Sequence, residues 1–587
     1  MQISASPGVA SAQPDRRRRR AAAAEFRGRA TANSRRMSYA LLLAATPTVQ
    51  EPSIFDFIAS QEAAASHSSI ADTVEQNAGS EQGDAPVGYF LRSMSAANFS
   101  LPIDDARVAA ALEGVEHFRL LPAVFPKGMG YHFDGLATVM KMSVSGGRLS
   151  VKTRAFESQA EQRWRSCLFY GTGTGPTLGT HVCFQNPGVN LLPIAGQLWL
   201  TIDTSSWGRV DPATLATVAG AKVEVGGALT LNAHPACDPT TGECFVQHPC
   251  PAKASPLSAA VCISQLVLSA DGGAGMNTTR VSSATLPRAK LIQHSHSPCI
   301  TPSYVVSKID AFEPRKPVGS NSGLLKFARQ AEDDLWLVMD RRTNTSRVLR
   351  SPGHSFVNNH FWNCYEEPAG GAVVVEAVAA TSDYLDNYFE RNLKLPSVDW
   401  SRLFSPPISC RVPTTALLQE ADGGDDAAVA ADIECVPMLG HGGPTPPALI
   451  AFDYPTYNPR FKMRPYRFFY AIAPSSAASR WFDTLVKVDR ANATGGVVAA
   501  SWSSPGVYLT EADFVPRPRS SDGTANAEDD GLLLTVLYNA TADNSFFGVF
   551  DARTVAPLGL YPLGQLVVPF HAHGIVCLPG EACFTNP

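Results

Sequence analysis

The chain has 587 residues, of which 17% are charged and 45% hydrophobic, and its formal net charge is -5. This much apolar material can form a large core, which excludes a mostly disordered chain. The weak negative net charge gives no indication of the basic surface that binds nucleic acid. The longest apolar run, residues 39–45, is far shorter than the roughly 20 residues of a membrane-spanning helix. The 44 prolines and 45 glycines predict many turns and few long helices.

The first 50 residues differ in composition from the rest of the chain. They contain nine arginines, five of them in the run Arg16–Arg20, and only two acidic residues, Asp15 and Glu25. An Arg-rich, Ser-rich and acid-poor start is typical of an organelle transit peptide, and a basic tail or nuclear-type basic run is the alternative. We therefore predict a plastid location, with a cytoplasmic location as the alternative. The acidic, small-residue stretch 51–87 is predicted to be a flexible linker.

From residue 88 to the end, short apolar stretches alternate with Gly, Pro, Asp and Asn. A short helix is predicted near residues 106–114. Strands are predicted at 196–202, 335–340, 373–378, 468–472, 532–538 and 546–551. Repeated hairpins over this length favour one large all-β domain, most naturally a propeller with helical insertions, and the lack of a strict repeat argues against a WD40-type sequence.

Cysteines and glycosylation sequons provide two further patterns. Four of the 12 cysteines lie close together in the sequence, at positions 237, 244, 250 and 262. Their spacing is not that of a zinc ribbon; we expect reduced thiols, with one or two loop disulfides as the alternative. Asn-x-Ser/Thr sequons occur at Asn98, Asn277, Asn344, Asn492 and Asn539. Without an apolar segment near the beginning of the chain, we interpret them as chance occurrences.

Among the 13 histidines, two pairs stand out, His294-x-His296 and His571-x-His573. On a strand, residues i and i+2 face the same side, so each pair could present two imidazoles to one metal ion. The signal is weak by itself, because most single histidines are structural and such pairs arise by chance.

The flanking residues are more specific. Four segments carry the candidate ligands, namely A-H-P-A-C-D-P-T-T-G-E around His234, H-S-P-C-I-T-P-S-Y from His296, N-N-H-F-W-N-C-Y-E-E-P around His360 and P-F-H-A-H-G around His573. In the same order, they resemble the four metal-ligand segments of the carotenoid cleavage oxygenase family. Further similar segments are Y-H-F-D-G at 131–135, R-V-D-P at 209–212 and E-A-D-F-V-P at 511–516. The resemblance runs from about residue 88 to the end.

This resemblance implies a seven-bladed β-propeller whose axis holds a non-haem Fe(II) ion. The implied ligands are His234, His296, His360 and His573. His296 is preferred to His294 because it stands five residues before Thr301, and His573 to His571 because it precedes Gly574. Imidazole suits iron, and four neutral ligands leave positions open for O2.

In the family, three glutamates accept hydrogen bonds from three of the four ligating histidines. Here Glu511 matches one of them, whereas Asp203 and Asp453 stand at the other two positions. Aspartate is one methylene shorter, so the bond must be rebuilt by a backbone shift or a bridging water. The segment 120–131 also lacks the family's R-N-G-P-N-P-like run, and Pro298 replaces its usual Phe, so the chain resembles a divergent member.

The implied activity is oxidative cleavage of a conjugated double bond of a carotenoid or apocarotenoid by O2. The alternatives on the same scaffold are a stilbenoid-cleaving enzyme, a retinoid isomerase and a non-catalytic apocarotenoid-binding propeller. A polyene substrate needs an apolar tunnel, for which Phe133, Phe361, Trp362 and Phe570 are candidates, with core packing as the alternative. Residues 256–268 are interpreted as a buried strand, with a surface patch for peripheral membrane contact as the alternative. No nucleic-acid partner is expected.

Overall fold

The computed structural model describes Tyr89, Cys583 and most of residues 92–580, with gaps that include 159–166, 169–180, 315–324, 382–399, 419–428, 440–450 and 518–526. The transit-peptide prediction for 1–50 and the linker prediction for 51–87 lie outside the described residues. The described residues form mostly β-strands arranged as a seven-bladed β-propeller, as the resemblance implied.

The first four sheets, numbered in chain order, take up the amino-terminal half of the propeller. Sheet 1 contains β1 (Asn98–Pro102), β2 (Glu116–Val124), β3 (Leu136–Ser145), β4 (Arg148–Ala155) and the last strand of the chain, β35 (Gly574–Cys577). A small pair, β5 (Cys167–Leu168) and β6 (His181–Val182), precedes sheet 2, which contains β7 (Asn190–Ile194), β8 (Gln197–Thr201) and β9 (Gly208–Val210). Sheet 3 contains β10 (Val223–Glu224), β11 (Ala236–Cys237), β12 (Cys244–Pro251), β13 (Ala259–Leu268) and β14 (Met276–Thr285). Sheet 4 contains β15 (Ile292–His294), β16 (Cys299–Ile300), β17 (Tyr304–Pro314), β18 (Leu325–Phe327), β19 (Asp333–Asp340), β20 (Thr345–Pro352) and β24 (Val429–Ala430).

Three further sheets complete the ring. Sheet 5 contains β21 (Val357–Glu366), β22 (Ala372–Ala380), β23 (Ile408–Pro413) and β25 (Glu434–Pro437). Sheet 6 contains β26 (Asp453–Thr456), β27 (Phe468–Ala473), β28 (Thr484–Asp489) and β29 (Val497–Ser503). Sheet 7 contains β30 (Val507–Leu509), β31 (Asp513–Pro516), β32 (Gly531–Asn539), β33 (Asn544–Asp551) and β34 (Pro557–Pro562). All six predicted strands are confirmed.

Helical structure is sparse in the part of the chain that the structure describes. Its one α-helix of more than a single turn is α1 (Ala106–Leu112), where the Asp105 side chain accepts hydrogen bonds from the backbone N–H groups of Arg107 and Val108. This cap satisfies donors that a helix start leaves unpaired. Short 3-10 helices occur at Thr414–Leu418 and Pro459–Phe461. None of the described helices is long and apolar enough to cross a membrane.

Burial patterns explain why these segments form stacked sheets. β4 alternates exposed and buried positions, as expected for a strand with one face exposed to solvent. By contrast, β32 is buried at all but its last residue. The apolar clusters lie between neighbouring sheets around the whole ring. For example, Leu198 of sheet 2 packs in the cluster of Leu120 of sheet 1, and Leu534 of sheet 7 packs in the cluster of Met140 of sheet 1. The core is therefore a closed series of interfaces between blades.

The last strand closes the ring. β35 pairs antiparallel with β2, with Gly574 opposite Arg119 and Cys577 opposite Glu116. One strand of each of four neighbouring sheets contacts the next, in the series β11, β16, β21 and β26. These strands form the inner edge of the propeller, where residues distant in the sequence meet.

The cysteines differ from the sequence-based expectation. The structure pairs ten of them in the disulfides Cys237–Cys244, Cys250–Cys262, Cys299–Cys364, Cys410–Cys435 and Cys577–Cys583. The expectation of reduced thiols is therefore wrong for these residues. The alternative of one or two loop disulfides is confirmed for the sequence cluster, because Cys237 pairs with Cys244 and Cys250 pairs with Cys262. No local sequence pattern indicated the pair Cys299–Cys364, whose cysteines are 65 positions apart.

The stretch considered for membrane contact is mainly a buried strand. Within β13, Val261 and Ile263 are buried and only Val267 is an exposed large apolar residue. The described part of the stretch thus agrees with the interpretation as a buried strand, which lies between β12 and β14.

Candidate metal centre

The structure brings the four predicted histidines together at the inner edge of the propeller. His234 precedes β11, His296 precedes β16, His360 lies in β21 and His573 precedes β35. The ring centroid of His234 lies 4.8 Å from that of His296, 5.1 Å from that of His360 and 4.4 Å from that of His573. Four sheets thus contribute one imidazole each to a single cluster.

The cluster has the donor chemistry of a metal site. One ring nitrogen from each of His234, His360 and His573 lies within 4.8 Å of the others. Nε2 of His234 is buried and has no hydrogen-bond partner among the described residues. A buried polar atom of this kind is costly unless a ligand satisfies it. Imidazole nitrogen suits iron, zinc, copper and nickel, so these residues fit the Fe(II) ion implied by the resemblance.

Three carboxylates hold three of the imidazoles through Nδ1. The Nδ1 of His360 lies 2.7 Å from an oxygen of Asp453, that of His296 lies 2.9 Å from an oxygen of Asp203, and that of His573 lies 3.3 Å from an oxygen of Glu511. Such a bond fixes the tautomer in which Nε2 carries the lone pair that a metal needs.

Both aspartates reach their histidines directly, so of the two expected adjustments, a backbone shift or a bridging water, the water is unnecessary. At Asp453 the neighbouring backbone is unusual, because Tyr454 adopts a φ of 54°. The left-handed region is rarely adopted by a bulky residue and often marks a functional site. The Tyr454 ring centroid also lies 5.5 Å from those of His360 and His573. A local backbone adjustment therefore accompanies the shorter carboxylate.

Two asparagines that sequence reasoning missed complete the polar shell. The side-chain amide of Asn190 lies 3.1 Å from Nδ1 of His234, and the amide of Asn359 donates to Asp453 over 2.6 Å. Asn359 precedes His360 and could have been considered from the N-N-H sequence, whereas Asn190 belongs to sheet 2 and has no such signal.

Burial sets the charge state of the cluster. Burial, together with the mutual repulsion of the imidazoles, holds the pKa of His234 and of His573 well below the ordinary value. Burial also acts on His296, but the Asp203 carboxylate outweighs it and raises the pKa of His296. Neutral His234 and His573 have the lone pairs that metal binding requires.

An unpredicted ionic network lies behind His573. The guanidinium of Arg119 is fully buried, with Nη1 2.6 Å from Asp513 and 3.7 Å from Glu511. Its Nη2 donates to the carbonyl of Ala572 over 3.2 Å. Burial and the nearby Asp513 raise the pKa of Glu511, so Arg119 helps to keep that carboxyl ionised.

The same network explains the glycine after His573. A Cβ on Gly574 would lie 2.5 Å from Cδ of Arg119 and 2.8 Å from the carbonyl oxygen of Phe118. Contacts this short cannot be accommodated without moving the strand. Glycine therefore allows β35 to approach β2 and to bring His573 to the centre.

The other member of each histidine pair has a different position. Nδ1 of the buried His571 donates to the carbonyl of Pro569 over 2.9 Å, which holds its ring outside the cluster. The position of the His571 ring outside the cluster therefore supports His573 as the candidate ligand of this pair. His294 forms part of β15, but its side chain lies outside the described residues.

The aromatic candidates divide between core and site. Phe361 is buried and stacks on Trp336, with centroids 5.8 Å apart, and Phe570 is buried against Trp481 at 4.7 Å. Phe361 and Phe570 therefore pack in the core, which was the alternative to lining a substrate tunnel. Nε1 of Trp362 donates to the Tyr466 hydroxyl over 2.6 Å, and Phe133 lies outside the described residues.

We expect Asp453→Asn to lower iron affinity about 10–100-fold, the usual cost of losing a partner of a metal ligand. Both oxygens of Asp453 accept hydrogen bonds, from His360 and Asn359, whereas an asparagine has only one acceptor oxygen. Iron affinity is measured by competition with a chelator. Glu511→Gln provides the comparison at the position that matches the family.

Substitution by glutamate should affect iron binding differently at Asp453 and at Asp203. Asp453 is fully buried, so Asp453→Glu must fit an extra methylene at a cost of about 1–3 kcal/mol. The Asp203 side chain is 35% exposed, so Asp203→Glu should retain iron better. Equal iron affinity of wild type and Asp453→Asn would show that this carboxylate does not support a ligand.

Comparisons with known proteins agree with this arrangement. A family model described as Retinal pigment epithelial membrane protein matches residues 111–575. A carotenoid dioxygenase of Neurospora crassa is 23% identical over 387 residues, which cover 62% of this chain and 59% of that protein. An apocarotenoid-15,15'-oxygenase of Synechocystis is 29% identical over 124 residues, which cover 21% of this chain and 24% of that protein. The chain thus spans less than two thirds of the length of either relative.

Solved structures show the same fold. Cobalt-substituted Synechocystis apocarotenoid oxygenase matches with a TM-score of 0.61 and 20% identity, covering 84% of this chain and 99% of that one. A chimera of that oxygenase with RPE65 matches with a TM-score of 0.61 and 18% identity, covering 84% of this chain and 98% of the chimera.

Proposed function

Because this chain belongs to the carotenoid oxygenase family, whose family model is described as Retinal pigment epithelial membrane protein, we propose that it is a non-haem iron(II) dioxygenase. Its reaction is the cleavage of a conjugated double bond of a carotenoid or apocarotenoid by O2. The observation that carries this proposal is the cluster of four imidazoles, three of them held through Nδ1 by carboxylates. That arrangement would offer imidazole nitrogens to an iron ion, with the carboxylates holding the imidazoles rather than serving as ligands.

His234, His296, His360 and His573 would hold the iron ion. When bound, iron(II) supplies the redox chemistry with O2 that amino-acid side chains lack. In the overall reaction the carbon–carbon double bond is lost, and each of its carbons receives one oxygen atom of O2 as a carbonyl. The products are therefore two aldehydes, or an aldehyde and a ketone.

This chain's own residues orient the ligands and exclude water. Asp203, Asp453 and Glu511 accept the Nδ1 protons and so keep the imidazole rings in a fixed orientation. Tyr454, which is 2% exposed, packs its ring beside His360 and His573. An apolar wall at this point suits a polyene better than a polar substrate.

The relatives support the substrate class and the metal. Two are named as a carotenoid dioxygenase and an apocarotenoid oxygenase, and one structure of the latter is cobalt-substituted. We infer an apolar polyene substrate from these names. The family also carries the RPE65 name, so isomerisation without cleavage is the competing outcome that an experiment must distinguish.

The test is product analysis with the purified, iron-loaded protein. Apocarotenals and carotenoids are incubated under air and under argon, and the products are separated by chromatography and mass spectrometry. We expect aldehydes under air, with one O2 consumed for each bond cleaved, and no aldehydes under argon. An isomer of unchanged mass that forms equally under argon would instead indicate an isomerase, and binding without any product would indicate a carrier.

Expression in a carotenoid-accumulating bacterium provides an independent screen of substrates. Loss of colour together with aldehyde products would identify both the substrate and the bond that is cleaved. Full retention of colour and of the parent carotenoids for every substrate offered, by a protein that contains iron, would contradict the proposal.

A further inference from the structure

The disulfides are placed beside the metal centre in a regular way. Each of the four clustered histidines is followed, three or four residues later, by a paired cysteine, at positions 237, 299, 364 and 577. Cys299–Cys364 joins β16 of sheet 4 to β21 of sheet 5, the strands that follow His296 and carry His360. Paired cysteines thus form part of the architecture around the site.

Three of the remaining pairs join neighbouring strands within one sheet, whereas Cys577–Cys583 joins the end of β35 to a residue that follows it. Cys237 lies directly opposite Cys244, and Cys410 lies directly opposite Cys435, in antiparallel pairs. Cys250 and Cys262 belong to the adjacent strands β12 and β13. The fold thus brings two cysteines together at five sites. This arrangement is not expected of a chain whose thiols stay reduced.

Disulfides of this number require an oxidising compartment. Each bond forms by exchange with the disulfide of a thiol oxidoreductase. A cysteine thiolate of the chain attacks that disulfide, a second thiolate resolves the mixed disulfide, and the oxidoreductase leaves with both electrons as a dithiol. The cytosol, which keeps thiols reduced, does not support this exchange.

The glycosylation sequons provide a second, independent observation. Asn98, Asn277 and Asn344 are exposed. Asn98 lies on β1, the outer edge strand of sheet 1, and Asn344 lies in the turn between β19 and β20. A glycan on any of these side chains would project into solvent.

The other two sequons are less informative. Asn539 is partly buried, and its amide oxygen accepts from the backbone N–H groups of Thr541 and Ala542. Asn492 lies outside the described residues.

From these two observations we infer that the chain matures in the disulfide-forming part of the secretory pathway and carries N-linked glycans on Asn98, Asn277 and Asn344. This route replaces the plastid and cytoplasmic locations expected from the arginine-rich start.

The glycan sites are tested by producing the full chain in insect cells. The protein is treated with peptide N-glycosidase in H2(18)O, which converts each glycosylated asparagine to labelled aspartate, and its peptides are mapped by mass spectrometry. We expect label at Asn98, Asn277 and Asn344. Thr279→Ala should remove the label from Asn277, whereas Thr278→Ala, which leaves the sequon intact, should retain it.

The disulfides are tested on the same sample by alkylating free thiols before any reduction. We expect Cys299 and Cys364 in one cross-linked peptide and no alkylation of the ten paired cysteines. Protein that stays in the cytosol with these thiols alkylated and with no labelled asparagine would overturn the inference. Secreted protein without label at any of the three asparagines would overturn the glycan assignment.

Discussion

We expect His360→Ala to abolish iron binding and polyene cleavage, whereas His571→Ala should leave one iron ion per folded chain. His360 projects from β21 into the cluster, and the fully buried Asp453 holds its Nδ1 at 2.7 Å. Alanine at this position removes a ligand and leaves a buried carboxylate without its partner. We therefore expect a loss of iron affinity greater than the roughly 100-fold that follows removal of an outer partner.

His571 is the matched control because it is a buried histidine two residues from a ligand. Its Nδ1 bonds the Pro569 carbonyl, and its ring is not in the cluster. Its removal should lower stability but leave the number of iron ions per folded chain unchanged. Iron is quantified by atomic absorption on gel-filtered protein, with unfolding curves to correct for unfolded material. Iron loss in His571→Ala with retention in His573→Ala would reverse the assignment of this pair.

Arg119→Met lowers the free energy of unfolding by about 3–5 kcal/mol, the cost of removing one partner from a buried ion pair. Arg119 is fully buried between the carboxylates of Asp513 and Glu511. Methionine retains most of the packing volume but leaves these charges uncompensated. The variant should also bind iron more weakly, because Glu511 supports His573 and Arg119 holds the carbonyl of Ala572.

Two variants separate the charge effect from packing. Asp513→Asn in the Arg119→Met background should recover part of the lost stability, since it removes a carboxylate that has lost its guanidinium partner and retains only the contact with His117. Arg411→Met breaks an exposed pair with Glu367 and should lower the free energy of unfolding far less than Arg119→Met does. Unfolding by urea, followed by circular dichroism, measures all three. Similar losses of unfolding free energy for Arg119→Met and Arg411→Met would show that the buried network contributes no more to stability than an exposed ion pair does.

Much of the fold could be predicted from the sequence because short apolar stretches punctuated by Gly, Pro and Asp directly encode strands and turns. The segments 335–340 and 532–538 lie within β19 and β32 for this reason. The number of blades came from the resemblance, since no period is visible in the sequence. Closure of the ring by β35 on β2 depends on pairing across more than 400 residues, which local patterns do not reveal.

The four histidines and three carboxylates were identifiable from their sequence segments, because local motifs survive when the rest of the chain has diverged. Only the tertiary structure decided how they meet. It placed Asp203 and Asp453 in direct contact with His296 and His360, Arg119 behind Glu511, and Asn190 beside His234. It also paired Cys299 with Cys364. These contacts join residues on different blades, and their energies depend on distance and burial, which a linear sequence does not contain.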